Sequence, residues 1–288
     1  MTRTEISTRT GRRYVGARVG RTIALVVIVL LAIWSVFPIV WLGVVSVMPS
    51  NAMLGGPTLV FQPTFEHYID VFARSRDSIW GYLINSVIVT VVSTAVSVAL
   101  AAMAAYAITR LKPRGGALVG MLILATRLLP PIALVVPFYV VFTELRVIDT
   151  QLALILPYTA LSIPLATWLL QGFFLSLPLE LEEAALVDGC TRMEAFIKII
   201  LPLSGPGIAV AAIMSFVLAW NDMLLALSLT LRRAATLPVL ASQVRTDQGI
   251  DWGTLGAITM VMVVPAIVFT FAAQRWIIAG LTGGATKG

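Results

Sequence analysis

Residues Thr22–Met48 read TIALVVIVLLAIWSVFPIVWLGVVSVM, twenty-seven consecutive positions without a charge. A helix needs about 20 apolar residues to cross the hydrocarbon of a bilayer, so this stretch places the chain in lipid. The run is longer than the apolar region of about 7–15 residues in a cleavable signal peptide, and it is expected to stay on the chain. Five more such runs follow: 78–109, 115–143 (interrupted only by Arg127), 150–179, 199–231 (with Asp222 inside it) and 252–274. The whole chain is 59% hydrophobic and 12% charged, against about 25% charged in a soluble domain.

These runs predict an all-α integral membrane protein of six transmembrane helices, with both termini on one side. Lys and Arg decide which side. Thirteen of the twenty basic residues fall on the terminus side, among them Arg3, Arg9, Arg12, Arg13, Arg18 and Arg21, and six fall opposite. Both termini are therefore expected in the cytoplasm. The resulting division is 1–21 as a basic cytoplasmic tail, 22–48 as the first crossing and 49–77 as an outer loop with a short helix near Glu66–Phe72. Residues 78–280 form a core of five crossings that includes a cytoplasmic loop at 178–200, and 281–288 form a cytoplasmic tail. Prolines 38, 130, 131, 137, 157, 164, 206 and 265 lie within the crossings, and each favours a kink.

The cytoplasmic loop between the fourth and fifth crossings has an order that a mere connector does not need. Pro178 ends a helix, and good helix formers then run from Glu182 to Val187, with acids at the start where the macrodipole favours them. Gly189 offers a left-handed stop. Thr191 and Glu194 form a T-x-x-E capping box for a second helix. Met193, Phe196, Ile197 and Ile200 then recur at helical spacing. The reading is two short helices around a glycine turn, with the small pair Ala184-Ala185 admitting a close neighbour and Phe196 offering an apolar plug.

That loop resembles the "EAA" coupling loop of the permease subunits of ATP-binding-cassette (ABC) importers. The pattern is Glu183-Ala184-Ala185, three residues, Gly189, nine residues, Ile199, one residue, then Leu201-Pro202. From about Phe37 onward the chain is similar to carbohydrate-uptake permeases of the maltose-transporter inner-membrane type. Asn85-Ser86, Ala104-Ala105-Tyr106, Asp149-Thr150, Ala219-Trp220-Asn221 and Thr236-Leu237-Pro238 match that pattern. Asp222 stands where glutamate is more usual, and Cys190 where alanine is.

The resemblance implies a multi-pass subunit of the cell membrane that forms part of a translocation pathway for a sugar or related solute such as a polyol or glycerol phosphate. It also implies a second homologous permease, two copies of a cytoplasmic ATPase subunit and an extracytoplasmic solute-binding protein. Glu183, Ala184, Ala185, Asp188, Gly189, Phe196, Ile199, Leu201 and Pro202 would then couple to the ATPase. The chain has no G-x-x-x-x-G-K-[ST] phosphate loop, so it is not expected to be an enzyme or to bind a cofactor; ATP and Mg belong on the partner. Polar groups inside crossings are costly and mark pathways, which makes Arg127, Tyr158, Asn221 and Asp222 the candidates for contacting solute.

Other classes fit poorly. Basic residues split among short loops give no face for nucleic acid. One cysteine, Cys190, forms no internal disulfide, and one histidine, His67, makes a poor metal site. No catalytic residues are assigned, because no nucleophile has a base within a crossing. A secondary transporter would need paired intramembrane acids, and Asp222 has no companion.

Overall fold

The computed structural model describes residues 3–54, 60–74, 79–244 and 249–285, with side chains from residue 21 to 272 apart from 54 and 74. Of the basic residues counted above, Arg76, Arg245 and Lys287, and the side chains of Arg3–Arg18, Arg74 and Arg275, lie outside the description. No strand occurs among the described residues.

Helix α1 spans Arg3–Ser46, longer than the apolar run itself. The outer loop holds α2 (Ser50–Leu54) and α3 (Glu66–Ile69), which passes into a π-helical turn at Asp70–Arg74. Helix α4 (Ile79–Tyr106) ends in a second π turn, Ala107–Leu111. Next come α5 (Gly116–Ala125), a 3₁₀ turn at Thr126–Leu128, and α6 (Pro131–Glu144). Helix α7 (Leu152–Ser176) leads to α8 (Glu180–Val187) and α9 (Arg192–Ala195). A π turn at Phe196–Ile200 then joins α9 to α10 (Leu201–Leu203), which leads into α11 (Gly205–Asn221). Helices α12 (Leu224–Leu229), α13 (Leu237–Ser242) and α14 (Trp252–Ala285) complete the chain.

Among the described residues, four helical stretches are long and apolar enough to cross a membrane: Arg21–Ser46, Ile79–Leu111, Leu152–Ser176 and Trp252–Ala272. Two bent pairs raise the number to six if each is one crossing. The expected third crossing is one of these, with Gly116–Leu128 and Pro131–Glu144 meeting at 92°. A proline drives the residue before it out of the helical region. The tandem Pro130-Pro131 therefore extends Leu129 (ψ 121°) and Pro130 (ψ 130°) in succession, and Pro131 restarts the helix at its first turn. The expected fifth crossing is the other pair, with a 78° bend between Leu203 and Gly205. It also stops at Asp222, whose backbone is extended (ψ 123°). Helix α7, by contrast, runs unbroken through Pro157 and Pro164.

Packing follows residue size. On α4, Ser86, Thr90, Ser93, Ser97, Ala101 and Ala105 are all buried. Small side chains at such spacing let helices in lipid approach closely, and the α4–α7 contact is the most extensive in the molecule. Helix α1 stands apart, with residues 21–41 all exposed. Its last turns cross α14 at Gly256, where an added Cβ would lie 3.1 Å from the Leu42 carbonyl oxygen.

Candidate functional site

The loop at 178–200 forms the helical hairpin expected from its caps. Pro178 extends Leu177 (ψ 136°) and ends α7. Helix α8 carries Glu180, Glu182 and Glu183 in its first turn. It closes with a Schellman motif: Gly189 adopts φ +92°, its N–H donates to Leu186 (3.2 Å), and the Cys190 N–H donates to Ala185 (3.0 Å). Both halves of the capping box are present at the start of α9. The Glu194 N–H donates to Thr191 Oγ1 at 3.3 Å, and the Thr191 N–H donates to Glu194 Oε2 at 2.8 Å. Lys198 adds an i,i+4 bond to Glu194 at 2.9 Å.

The hairpin has an outer and an inner face. Glu183, Ala184, Val187, Asp188, Gly189, Met193 and Ile197 are exposed, Val187 at 86%. Glu182, Ala185 and Phe196 are buried. Two expectations change as a result. Only Ala184 of the alanine pair is open to a neighbour. Phe196 is not a plug offered outward: its ring lies 4.7 Å from Tyr106 and 6.4 Å from Phe174, centroid to centroid, and pins the hairpin to α4 and α7. Ile199 and Leu201 are half-buried and Pro202 is exposed.

Glu182, not among the expected coupling residues, is a buried acid at this junction, 3% exposed. The Tyr106 hydroxyl donates to its Oε1 at 2.7 Å. Arg110 and Arg192 each approach its carboxylate to 3.9 Å. Glu182 lies one helical turn before Ala185, a relation that marks it only once Ala185 is known to face inward.

The four pathway candidates do not converge. Arg127 sits in the 3₁₀ turn and donates to the Leu161 carbonyl at 3.2 Å. Asn221 is exposed and bonds its own helix at Val217 (2.8 Å). Tyr158 and Asp222 do meet: the buried tyrosine hydroxyl donates to Asp222 Oδ1 at 2.9 Å. The same oxygen accepts the N–H groups of Leu225 (3.0 Å) and Ala226 (3.4 Å), so it also caps α12.

At the opposite end of the bundle, Asp149 and Asn85 clamp the segment between α12 and α13. Asp149, itself at φ +58°, accepts N–H groups from Leu231, Arg232, Arg233 and Ala234 at 2.9–3.2 Å. Partial burial pushes its carboxyl upward, yet these four donors outweigh that and hold it below the ordinary 3.8. Asn85 donates to the carbonyls of Arg233 (2.8 Å) and Ala235 (3.1 Å) and accepts from Gln151 (2.9 Å).

The fold is thus a helical membrane bundle with a capped hairpin between its fourth and fifth apolar runs. Residues 97–283 match the family model described as "Binding-protein-dependent transport system inner membrane component". The chain belongs to that family and is a multi-pass membrane protein. It is 39% identical to the trehalose transport system permease protein of Mycobacterium tuberculosis, over 88% of this chain and 93% of that one. It is 34% identical to the trehalose/maltose transport system permease protein of Thermococcus litoralis, over 93% and 97%. Its fold is similar to that of a chain in the crystal structure of a bacterial ABC transporter involved in import of the acidic polysaccharide alginate. That match has a TM-score of 0.76 at 20% identity and covers 91% of this chain and 98% of that one.

Proposed function

We infer that this chain is a permease subunit of an ATP-driven importer for a sugar or related solute, and that its α8–α9 hairpin docks on a separate ATPase subunit. The observation that carries this reading is the hairpin. It is capped at each end of its turn, fixed to the bundle through Phe196 and Glu182, and leaves Glu183, Ala184, Val187 and Asp188 exposed. A rigid element anchored on one side and bare on the other suits a lever between two bodies. The trehalose and maltose named for two relatives support a sugar as solute.

The full assembly has a second homologous permease, two copies of the ATPase that hold ATP and Mg, and a solute-binding protein outside. Six crossings with both termini in the cytoplasm put the hairpin on the ATPase side. Within the membrane, the break at Asp222 and its bond to Tyr158 mark a place where backbone and side-chain polarity line a pathway. A ligand or nucleotide drives such a protein only through different affinities for its two states.

The test is Glu183→Ala in the assembled transporter, with trehalose as probe solute. Loss of a charge-assisted contact is expected to lower ATPase copurification and uptake about tenfold. Unchanged assembly and uptake would contradict the assignment. Calorimetry of the solute-binding protein against sugars, polyols and glycerol phosphates then names the solute.

A further inference from the structure

Glu182 and Arg110 form an incomplete contact. Both side chains are buried, at 3% and 6% exposure. Glu182 Oε1 is satisfied by the Tyr106 hydroxyl at 2.7 Å, and Arg192 lies 3.9 Å from the same oxygen. Among the described residues, Glu182 Oε2 and Arg110 Nε have no hydrogen-bond partner, and they face each other at 3.9 Å. A charge-assisted N–H···O bond spans about 2.7–2.9 Å, so a shift of about 1 Å completes it. Buried polar atoms left open are costly, and a contact this near closure favours a second conformation in which it is made.

The two groups ride on different parts of the molecule. Arg110 belongs to the foot of α4, and its Nη2 donates to the carbonyls of Phe174 and Leu177 (2.8 Å to the latter) at the end of α7. Glu182 belongs to α8 of the hairpin. Relative movement of the hairpin and the two helix feet therefore passes through this pair.

We propose that Glu182 is a positioning residue that carries hairpin movement into the feet of α4 and α7, its Oε2 closing onto the Arg110 Nε–H in the alternate state. This rests on the hairpin docking on an ATPase, and the test separates the two ideas. The assembled transporter in proteoliposomes is studied with Mg-ATP as the only added ligand. Two thiol reporters are compared for maleimide labelling with and without nucleotide. One is the native Cys190 at the hairpin turn. The other is Thr109→Cys in a Cys190→Ser background, at a buried position in the foot of α4.

In the unaltered chain both labelling rates are expected to change about tenfold with Mg-ATP. In Glu182→Gln only the Cys190 rate changes, because one charge-assisted bond is worth about that factor. Arg110→Gln gives the same split, and the double variant is no worse than either single. Tyr106→Phe, which keeps the ring on Phe196, retains the Thr109→Cys response. If both reporters still respond in Glu182→Gln, the proposal fails while the docking reading stands. If neither responds in the unaltered chain, the docking reading fails and the proposal with it. If Glu182→Gln and Arg110→Gln both lose the ATPase on purification, the pair is merely structural and the proposal is overturned.

Discussion

Neighbouring acids of α8 have opposite fates: Glu182 is buried against Tyr106 and Glu183 faces outward. The family pattern points at Glu183, and nothing in a run of three acids within four residues says which one turns inward. The rotation of α8 about its axis is set by its contact with α4, which is tertiary. Asp149 was likewise legible only as part of a resemblance. Its role as a post for four backbone N–H groups depends on two segments some eighty residues apart. A carboxyl held below its usual value stabilises the fold fully above the ordinary 3.8, and that contribution is lost as pH falls through the lowered value. Thermal stability of the detergent-solubilised protein is thus expected to fall more steeply below about pH 4 than that of Asp149→Asn. Parallel pH profiles for the two proteins would show that the clamp contributes nothing.

At the level of elements, both the apolar runs and the hairpin caps were readable because each depends on local chemistry: a missing charge, a glycine in the left-handed region, a Thr and a Glu three apart. Proline positions were readable too, but not their consequences. Pro157 and Pro164 each remove one backbone donor and leave α7 continuous, whereas Pro130-Pro131 turns the chain through 92° because two successive residues must be extended. Replacing both by alanine removes that constraint. Spin labels at Leu118→Cys and Val140→Cys, in a Cys190→Ser background, are then expected to move apart by about 10 Å as the arms straighten, at 1.5 Å per helical residue. An unchanged separation would place the cause of the bend in tertiary packing.

The molecule as a whole has an apolar skin and a polar handle. Helix α1 lies bare over residues 21–41 and the outward faces of α4, α5 and α6 are apolar, as lipid or a membrane partner requires. In the α8–α9 hairpin acidic side chains, a tight turn and a buried anchor coincide, and the function proposed for the molecule depends on what that hairpin touches. The direct measurement is disulfide or short-linker crosslinking from Val187→Cys, in a Cys190→Ser background, in the complete transporter through the stages of ATP binding and hydrolysis. A crosslink to the cytoplasmic ATPase whose yield changes with nucleotide is expected; a hairpin that meets no ATPase at any stage would rule out its role as a lever.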